Sequence, residues 1–405
     1  MEQENQRLAR AALTRLIEPG DLLGAALVDV TGPEEALELM CDDSRKPTAA
    51  LQQSVSDRLG DAATTRREVR LETGFQRWRT RVPDLAPQRD LDTLRRVGGG
   101  FLGPEDPDWP EAVNGLDLAR PLGLWWRGQV SPAVGLARPR VAVVGSRDAS
   151  EYGIRATHEL IAPLMERDCQ IVSGGAYGID AAAHRAALGA TARGEAPGVR
   201  GAPTIAMMAG GLDRFYPAGN ESLLREVART GLLLSEVPPG SSPTRWRFLQ
   251  RNRVIAALST LTVVVEARWR SGALATARRA AELGRTVAAV PGSIFSANSA
   301  GCHRLMHEVG ALPVVSGGDL LELLSLEHSH VSTPHGGMSG RQYDDLDVPD
   351  RLLFDALPLR QLTTVDQLCR VAGLSLGAVL SGLSRLRACG LATEADGQWR
   401  RSAAK

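Results

Sequence analysis

Six short, uninterrupted apolar runs between residues 140 and 292 constrain the fold of this chain more than any other feature. The runs are VAVVG (141–145), IVSGG (171–175), TIAMMAGG (204–211), LLLSE (232–236), LTVVVEA (261–267) and TVAAVPG (286–292). Each has the length of a strand, and most are followed by a helix-like segment. Because the runs are continuous rather than alternating, both faces of each strand are expected to be covered. The sequence therefore predicts an α/β fold with a doubly wound parallel sheet, in which ligands bind at the carboxyl ends of the strands.

The rest of the chain divides around this core, which we predict at 139–325. Residues 1–95 are polar with helical apolar spacing, which predicts a helical N-terminal domain. Residues 96–138 begin near a glycine triplet, are rich in proline and tryptophan, and predict an irregular lead-in segment. Residues 326–347 lack periodicity and predict a flexible linker. Three helix patterns followed by a hairpin predict a C-terminal winged helix at 348–405.

Composition indicates a globular protein of the cytoplasm. Hydrophobic residues make up 43% and charged residues 23% of the chain, and no apolar run reaches the roughly 18 residues of a membrane span. The charged start MEQENQRLAR does not resemble a signal peptide. The five scattered cysteines argue against a disulfide framework, and no zinc motif is present. His303 and His307 are spaced i,i+4, but without an HExxH order we predict no metal site.

The basic charge is concentrated in one stretch, although the net charge is zero. Residues 235–285 contain nine arginines and three glutamates, a local charge of +6. Arginine suits phosphate because its planar fork donates two hydrogen bonds at once. The stretch therefore predicts a polyanion-binding surface. A solvated helix face in an arginine-rich chain remains the alternative.

Polar and glycine-rich loops follow the predicted strands. The segment VSGGAYGIDAAAH (172–184) can bring a backbone turn close to a phosphate, with Asp180 interpreted as the helix cap that holds the turn. Ser146 and Arg147 follow the first strand, where an arginine beside a helix N-terminus predicts an anion site. The candidate nucleic-acid-binding residues of these loops are Gly145, Ser146, Arg147, Ser173, Gly174, Gly175, Ala176, Tyr177, Gly178, Asp180, Gly211, Asp213, Tyr216, Asn220, Arg245, Arg247, Arg251, Asn252, Arg253, Ser271, Gly272 and Thr276.

Motifs of nucleotide-dependent and nucleophilic enzymes are missing. Gly145 is followed by Ser146 and Arg147, which breaks the GxGxxG pattern, and no GxxxxGK[ST] occurs. No order of serine, histidine and aspartate or of cysteine and histidine suggests a nucleophile. We interpret His184 as a helix residue beneath the sheet, with a catalytic base as the lesser alternative. The sequence therefore predicts a binding protein without catalytic residues or cofactor.

Six motifs resemble, in order and spacing, those of the DNA-processing protein A family, called DprA or Smf. They are VAVVGSR, SGGAYGID, GGLDRFYPAGN, SEVPPGSSPTRWRFLQRNRVIAALS, VVVEARWRSGALATA and ELGRTVAAVPG. The resemblance is strong over residues 139–324. More loosely, the N-terminal piece resembles a sterile-alpha-motif or helix-hairpin-helix domain.

The resemblance implies an extended Rossmann-like core that binds single-stranded DNA and delivers it to the RecA recombinase during natural transformation. It also implies a homodimer. The family's GSR corresponds to 145–147, its glycine turn to 173–180 and its RNR to 251–253. Three positions depart from the family pattern, namely Tyr177, Ala218 and Leu249. We expect an exposed Tyr177 to stack on a base, and the alternative is a tyrosine packed in the core.

Two other classes of function remain open. The first is a nucleotide-processing enzyme of the phosphoribohydrolase type, but the nearest stretch, PGSIFSANSAG, lacks most of that family's PGGxGTxxE turn. The second is a winged-helix regulator that reads duplex DNA with Arg385 and Arg387. The winged helix is as well suited to a protein partner as to DNA.

Overall fold

The computed structural model describes residues 2–60, 70–129, 138–194, 202–329, 348–358, 361–395 and 397–402. The chain forms two compact units, Met1–Val331 and Ser332–Lys405. Within the part of the chain that is described, no single helix is both long and apolar enough to cross a membrane, and only the pair Val365–Ala372 and Leu376–Arg387, bent by 103°, meets that test of length and composition.

Six helices form the N-terminal part of the first unit. They are α1 (Glu2–Leu16), α2 (Leu22–Thr31), α3 (Pro33–Cys41), α4 (Ala49–Leu59), α5 (Leu71–Arg79) and α6 (Pro87–Arg95). Asp21 caps α2 by accepting a hydrogen bond from the Gly24 amide, and Thr48 caps α4 in the same way. Leu13, Leu27 and Trp78 belong to the buried core of this bundle. Below, α1–α6 are called the N-terminal module.

A nine-stranded sheet forms the centre of the first unit. Its strands are β1 (Gly99–Leu102), β2 (Leu124–Gly128), β3 (Arg140–Val144), β4 (Gln170–Ser173), β5 (Thr204–Met208), β6 (Leu232–Ser235), β7 (Leu261–Val264), β8 (Thr286–Ala289) and β9 (Leu312–Pro313). Their order is β1-β2-β6-β5-β4-β3-β7-β8-β9. All neighbours from β6 to β9 pair in parallel. The prediction of a mainly parallel α/β sheet is confirmed, and each of the six apolar runs contributes a strand.

Helices cover both faces of the sheet. They are α7 (Glu151–Glu166), α8 (Ile179–Ala192), α9 (Glu221–Thr230), α10 (Arg245–Leu258), α11 (Ala273–Glu282), α12 (Ala300–Glu308) and α13 (Gly317–Ser329). Ile255 of α10 belongs to the same core cluster as Val144 of β3. Ile161 of α7 belongs to a second cluster with Val143, the residue before Val144. Successive side chains of a strand point to opposite faces, so both faces of β3 are buried.

The lead-in segment is more regular than predicted. β1 and β2 pair with each other and extend the sheet at β6, all in antiparallel orientation. The glycine triplet is part of this pairing, because a Cβ at Gly99 would collide with the Trp126 carbonyl oxygen. Glycine has a low strand propensity, which is why these residues looked like a joint. Residues 130–137 of the segment lie outside the described residues.

The predicted linker starts later than residue 326, because the backbone of α13 remains helical through Ser329. Residues 330–347 lie outside the described residues. The second unit contains α14 (Val348–Ala356), α15 (Val365–Ala372), α16 (Leu376–Ala388), β10 (Ala392–Ala395) and β11 (Gln398–Arg401). The two strands pair in antiparallel orientation, and Trp399 packs with Leu353, Leu368 and Leu383 in a small core.

Candidate nucleic-acid interface

A cleft of about 870 Å³ opens at the carboxyl ends of β3 and β7 and is bordered by α10. Its polar and aromatic lining residues are Ser146, Arg147, Asp148, Asp180, Tyr216, Thr244, Arg245, Phe248, Arg251, Asn252, Arg268, Arg270, Ser271 and Thr276. Gly145, Ala176 and Gly272 contribute backbone to the lining. Ligands of doubly wound folds bind at this edge of the sheet, because the strands end in loops there. The structure thus brings many of the sequence-predicted residues to one cavity.

The loop after β3 presents Arg147 to the cleft. Arg147 is exposed, and its guanidinium carbon lies 5.0 Å from the centre of the Phe248 ring. Ser146 is buried, and its hydroxyl oxygen accepts a hydrogen bond from the Asp148 amide (3.2 Å). Arg147 is therefore the group of this loop that is free to contact a ligand.

The predicted anion site at the helix after this loop is wrong in one respect. Ser150 caps α7, and both its amide and its hydroxyl donate hydrogen bonds to the carboxylate of the buried Glu266 (2.9 and 2.6 Å). A carboxylate at a helix N-terminus is stabilised by the helix dipole in the same way as a phosphate. The protein's own Glu266 therefore occupies the place at which an external anion was expected.

The glycine turn after β4 packs against the protein itself. Gly178 has φ +74°, and a Cβ there would collide with the Ser146 carbonyl oxygen. Asn220 holds the turn by donating hydrogen bonds to the carbonyl oxygens of Gly175 and Ala176 (3.1 and 3.0 Å). These glycines are needed for the contact between two loops as well as for any approach to a ligand.

Asp180 stabilises the turn, although it does not cap the helix. The N-cap of α8 is Gly178, and Asp180 lies in the first turn, where its carboxylate accepts a hydrogen bond from the Ala176 amide (3.4 Å). Burial raises the pKa of Asp180, although the neighbouring Arg251 and the Ala176 amide oppose that shift. The buried Ser173 hydroxyl donates to the Val143 carbonyl oxygen (2.7 Å) and so ties this turn to β3.

His184 is fully buried within α8, and its Nδ1 lies 2.7 Å from the Thr204 hydroxyl. Burial, together with the positive charges of Arg251 and Arg185, lowers its pKa to about 3. The imidazole is therefore neutral at pH 7 and does not line the cleft. This placement agrees with the interpretation of His184 as a residue beneath the sheet.

The two faces of α10 have different surroundings. Arg245, Phe248, Leu249 and Asn252 line the cleft and are here called the cleft face. Trp246, Arg247, Gln250 and Arg253, here called the module face, point away from it, because a helix turns by about 100° per residue.

Two predicted binding arginines lie on the module face. Arg253 is buried and donates two hydrogen bonds of 2.6 Å to the buried carboxylate of Glu236. Arg247 makes a bidentate pair with Glu18 (2.9 and 2.8 Å). The prediction that Arg247 and Arg253 bind nucleic acid is therefore corrected, because each is held by a carboxylate outside the cleft.

Arg251 is also buried, at the base of the cleft. Its guanidinium donates to the carbonyl oxygens of Gly174 and Met207 (2.9 Å for Met207). These bonds fasten α10 to the ends of β4 and β5. The RNR motif thus has a structural role at Arg251 and Arg253, whereas the Asn252 amide donates to the Gly272 carbonyl oxygen (3.4 Å) beside the cleft.

The loops after β4 and β5 contribute the aromatic side chains Tyr177 and Tyr216. Tyr177 is 46% exposed, as expected, and its hydroxyl oxygen accepts a hydrogen bond from the Gly219 amide (3.2 Å). Tyr216 is 49% exposed, and its ring centre lies 6.0 Å from that of Phe248. A smaller pocket beside the cleft is lined by both tyrosines and by Gly211. Asp213 instead accepts a hydrogen bond from the Gly240 amide (2.7 Å) and has a structural role.

The cleft also contains residues that the sequence analysis did not select, namely Phe248, Arg268 and Arg270. Both arginines belong to the basic stretch 235–285, so a signal for them existed in the charge count. Arg268 pairs with Asp148 (2.6 Å) at the rim. Arg270 is exposed and has no ion pair or side-chain hydrogen bond with another described residue.

Three arginines are therefore available to a ligand. Arg147, Arg245 and Arg270 are exposed, line the cleft, and make no ion pair or side-chain hydrogen bond with any other described residue. No histidine, cysteine, lysine or glutamate is found among the described residues that line the cleft. Among the residues that the structure describes, no cluster of three His, Cys, Asp or Glu side chains is placed to hold a metal ion. This chemistry suits the binding of several phosphates.

Comparison with known proteins agrees with this geometry. Residues 100–325 match the family model of DNA recombination-mediator protein A. The putative DNA processing protein DprA of Mycobacterium tuberculosis (strain H37Rv) is 40% identical over 410 residues, which cover 97% of this chain and 93% of that protein. DprA of Streptococcus pneumoniae is 44% identical over 201 residues, which cover 50% of this chain and 66% of that protein.

A solved structure is also similar. The X-ray structure of DNA processing protein A from Streptococcus pneumoniae superposes with a TM-score of 0.58 at 30% sequence identity, and covers 78% of this chain and 97% of that chain. The family model spans more than half of this chain, and the mycobacterial relative spans nearly all of it. The chain therefore belongs to the DprA/Smf family of DNA recombination-mediator proteins.

Proposed function

We propose that this protein binds single-stranded DNA in the cleft and delivers it to the RecA recombinase during natural transformation and recombination. The observation that carries the proposal is the group of three exposed arginines in one open cleft, Arg147, Arg245 and Arg270, none of which has an ion pair with another described residue. A DNA strand presents a phosphate at every nucleotide, whereas a single nucleotide presents one short phosphate group. Several separate arginines along a cleft of about 870 Å³ therefore suit a strand better.

Aromatic side chains supply the second half of the proposed interface. Tyr177 and Tyr216 are about half exposed beside the cleft, and Phe248 lies under Arg147. Base stacking on such rings tolerates any sequence, because every base has a flat face. A single strand exposes its bases, whereas a duplex hides them. The proposal therefore includes a preference for single-stranded over duplex DNA with little sequence selectivity.

Binding rather than catalysis is part of the proposal. The carboxylates at the strand ends are already engaged, since Glu236 pairs with Arg253 and Glu266 accepts hydrogen bonds from Ser150, the cap of α7. Asp148, in the cleft, pairs with Arg268. A phosphoribohydrolase-like activity would need an acid or base free to act on the substrate. The other carboxylate among the described lining residues, Asp180, is buried and accepts a hydrogen bond from the Ala176 amide, so neither carboxylate is free to act on a substrate.

The test is a comparison of single-stranded and duplex oligonucleotides of equal length at two salt concentrations, with affinity measured by fluorescence anisotropy. Tighter binding of the single strand, with affinity that falls as salt rises, is the expected result. Equal or tighter binding of blunt duplex would overturn the proposal.

Delivery to RecA and homodimer formation are further parts of the proposal, and they rest on family membership. The matching assays are light scattering for the dimer and the rate of RecA filament formation on single strands covered by a single-strand-binding protein. A monomer that does not change that rate would contradict both parts.

We also propose that the second unit, with three helices and a hairpin, acts as a winged helix, and that the protein works in the cytoplasm.

A further inference from the structure

The module face of α10 is in contact with the turn between α1 and α2. The Trp246 indole N–H donates a hydrogen bond to the Pro19 carbonyl oxygen (3.1 Å). Gln250 packs so closely on Gly20 that a Cβ at that glycine would collide with its amide group. With the Arg247–Glu18 pair, each residue of the turn at 18–20 contacts a side chain of the first half of α10.

Glu18 is itself fixed by a second arginine. Arg81 lies 2.9 Å from one Glu18 carboxylate oxygen and also donates a hydrogen bond to the Leu16 carbonyl oxygen (2.8 Å). Partial burial raises the pKa of Glu18, but the hydrogen bond and charge of Arg247 and the charge of Arg81 outweigh it and leave the pKa lowered. The carboxylate is thus ionised at neutral pH and links α10 to the segment after α5.

The N-terminal module also holds the loop that leads into α10. Arg15, in the last turn of α1, donates to the Pro239 carbonyl oxygen (3.0 Å), and Asp90 of α6 accepts hydrogen bonds from the same guanidinium (2.7 and 3.0 Å). The start of α10 is therefore fixed from two sides by the module.

The two faces of a short helix move together as one rigid body, so a contact that fixes one face also fixes the position of the opposite face. Arg245 and Phe248 of the cleft face stand on the first turns of α10, directly behind Trp246 and Arg247. We infer that Glu18 is a positioning residue for DNA binding: through Arg247 it sets the position of α10 and thereby aims Arg245 and Phe248 into the cleft. This inference rests on the proposed binding of single-stranded DNA in that cleft.

Charge alone would give an effect of the opposite sign. Glu18→Gln removes a negative charge and frees a positive one near the cleft, so a purely electrostatic effect would strengthen the binding of DNA. Loss of positioning weakens it instead. We expect about a fivefold weaker affinity, which corresponds to the upper end of the range for a partly exposed ion pair.

The experiment measures the affinity of the full-length chain for a labelled oligothymidylate by fluorescence anisotropy, well below the melting temperature of every variant. The variants are Glu18→Gln, Arg247→Gln and the double variant. Glu105→Gln is the matched control, because Glu105 pairs with Arg10 of α1 and does not touch α10. Each of the three test variants should weaken binding, since each breaks the pair of Glu18 and Arg247, and the control should bind like the wild type.

Hydrogen exchange gives a readout independent of DNA. The amides of the first two turns of α10 should exchange faster in Glu18→Gln than in Glu105→Gln. Trp246→Phe, which removes the donor to Pro19 and makes the ring smaller, should weaken binding in the same direction. If Glu18→Gln does not fold, Trp246→Phe and Arg247→Gln decide the question alone.

Several outcomes would overturn the inference. Binding by Glu18→Gln as tight as wild type, or tighter, would show that the contact does not position α10. A loss on adding Arg247→Gln to Glu18→Gln that is as large as the loss caused by Arg247→Gln alone would mean that Arg247 acts on DNA independently of Glu18. Failure of the proposed function looks different, because the wild-type protein itself would then bind oligothymidylate no better than duplex.

Discussion

On the cleft face of α10, Arg245 is exposed and unpaired among the described residues, whereas on the module face Arg247 and Arg253 are held by carboxylates. These three arginines lie within nine consecutive residues and are chemically identical. The exposed one can exchange water for phosphate at little cost. For the buried Arg253, separation from Glu236 would leave two charges unpaired in an apolar surrounding, whereas Arg247 would lose a partly exposed pair.

The difference teaches how a local charge count misleads. Seven of the nine arginines at 235–285 have partners within the protein, namely Arg247, Arg251, Arg253, Arg268, Arg278, Arg279 and Arg285. Three of the partner acids, Glu18, Asp148 and Glu308, come from outside the stretch. These three acids reduce the local charge from +6 to +3, so half of it is compensated by acids that only folding brings near.

The largest effect is expected when a module-face arginine is removed, which tests whether the arginines of that face are structural. Arg253→Ala should lower the free energy of unfolding by about 3–5 kcal/mol, because it leaves the Glu236 carboxylate buried without its partner. Urea denaturation measures the change. Arg245→Ala is the control and should stay within about 0.5 kcal/mol of wild type. An Arg253→Ala variant of normal stability with weakened DNA binding would reverse the assignment of the two faces.

A combined change of the cleft arginines tests the opposite side. Arg147→Ala, Arg245→Ala and Arg270→Ala together should weaken single-strand binding by about 3 kcal/mol, at about 1 kcal/mol per contact. The slope of log affinity against log salt should fall in magnitude by about 2, at roughly 0.7 per phosphate contact. Anisotropy titrations at four salt concentrations measure both quantities.

The matched control for charge removes three exposed arginines that pair with acids at i,i+3: Arg95→Ala, Arg229→Ala and Arg279→Ala. It has the same net charge as the cleft variant and should keep the wild-type salt slope. Equal losses in both triple variants would mean that net charge, and not the cleft, governs binding.

A fall in pH should lower the free energy of unfolding before it changes the charge of the cleft. Because burial lowers the pKa of His184 to about 3, the unfolded chain binds a proton below pH 6.5 that the folded chain does not. Stability therefore falls with pH between about 6.5 and 3, by about 2 kcal/mol at pH 5. Urea denaturation at pH 7, 6 and 5 should show this loss, and His184→Asn should show a smaller one. If the wild type and His184→Asn showed the same pH dependence, the assignment of the stability loss to His184 would be wrong. The cleft arginines stay charged over this pH range.

The smallest expected effect concerns Tyr177. Tyr177→Ala should weaken single-strand binding by about 1 kcal/mol, near the lower end for one stacked base, because only part of the ring is exposed. Tyr177→Phe keeps the ring and loses only the hydrogen bond from Gly219, so it should bind like the wild type. If Tyr177→Ala binds normally and only melts earlier, the ring is structural and the aromatic part of the interface must be sought at Tyr216 and Phe248.

The sequence by itself determined the parallel sheet and the edge at which the cleft lies. Strand formation follows from local apolar runs, and the carboxyl ends of parallel strands share one edge whatever their order. The sequence also indicated an exposed Tyr177, since the glycines around it leave little to cover a large ring. It did not reveal β1 and β2. β1 begins with glycines, which are poor strand formers, and Gly99 is required there because a Cβ would collide with the Trp126 carbonyl oxygen.

Only the tertiary structure decided which arginines face the cleft. Glu18 meets Arg247 across 229 positions of sequence, and Glu266 reaches the Ser150 cap across 116. No local pattern encodes such pairs, because Coulomb attraction depends on distance in space and on burial rather than on separation along the chain. The RNR segment could be located from its sequence, but the partners of its arginines could not. Those partners make Arg251 and Arg253 part of the framework. Arg147, Arg245 and Arg270 have no such partner among the described residues and are exposed in the cleft.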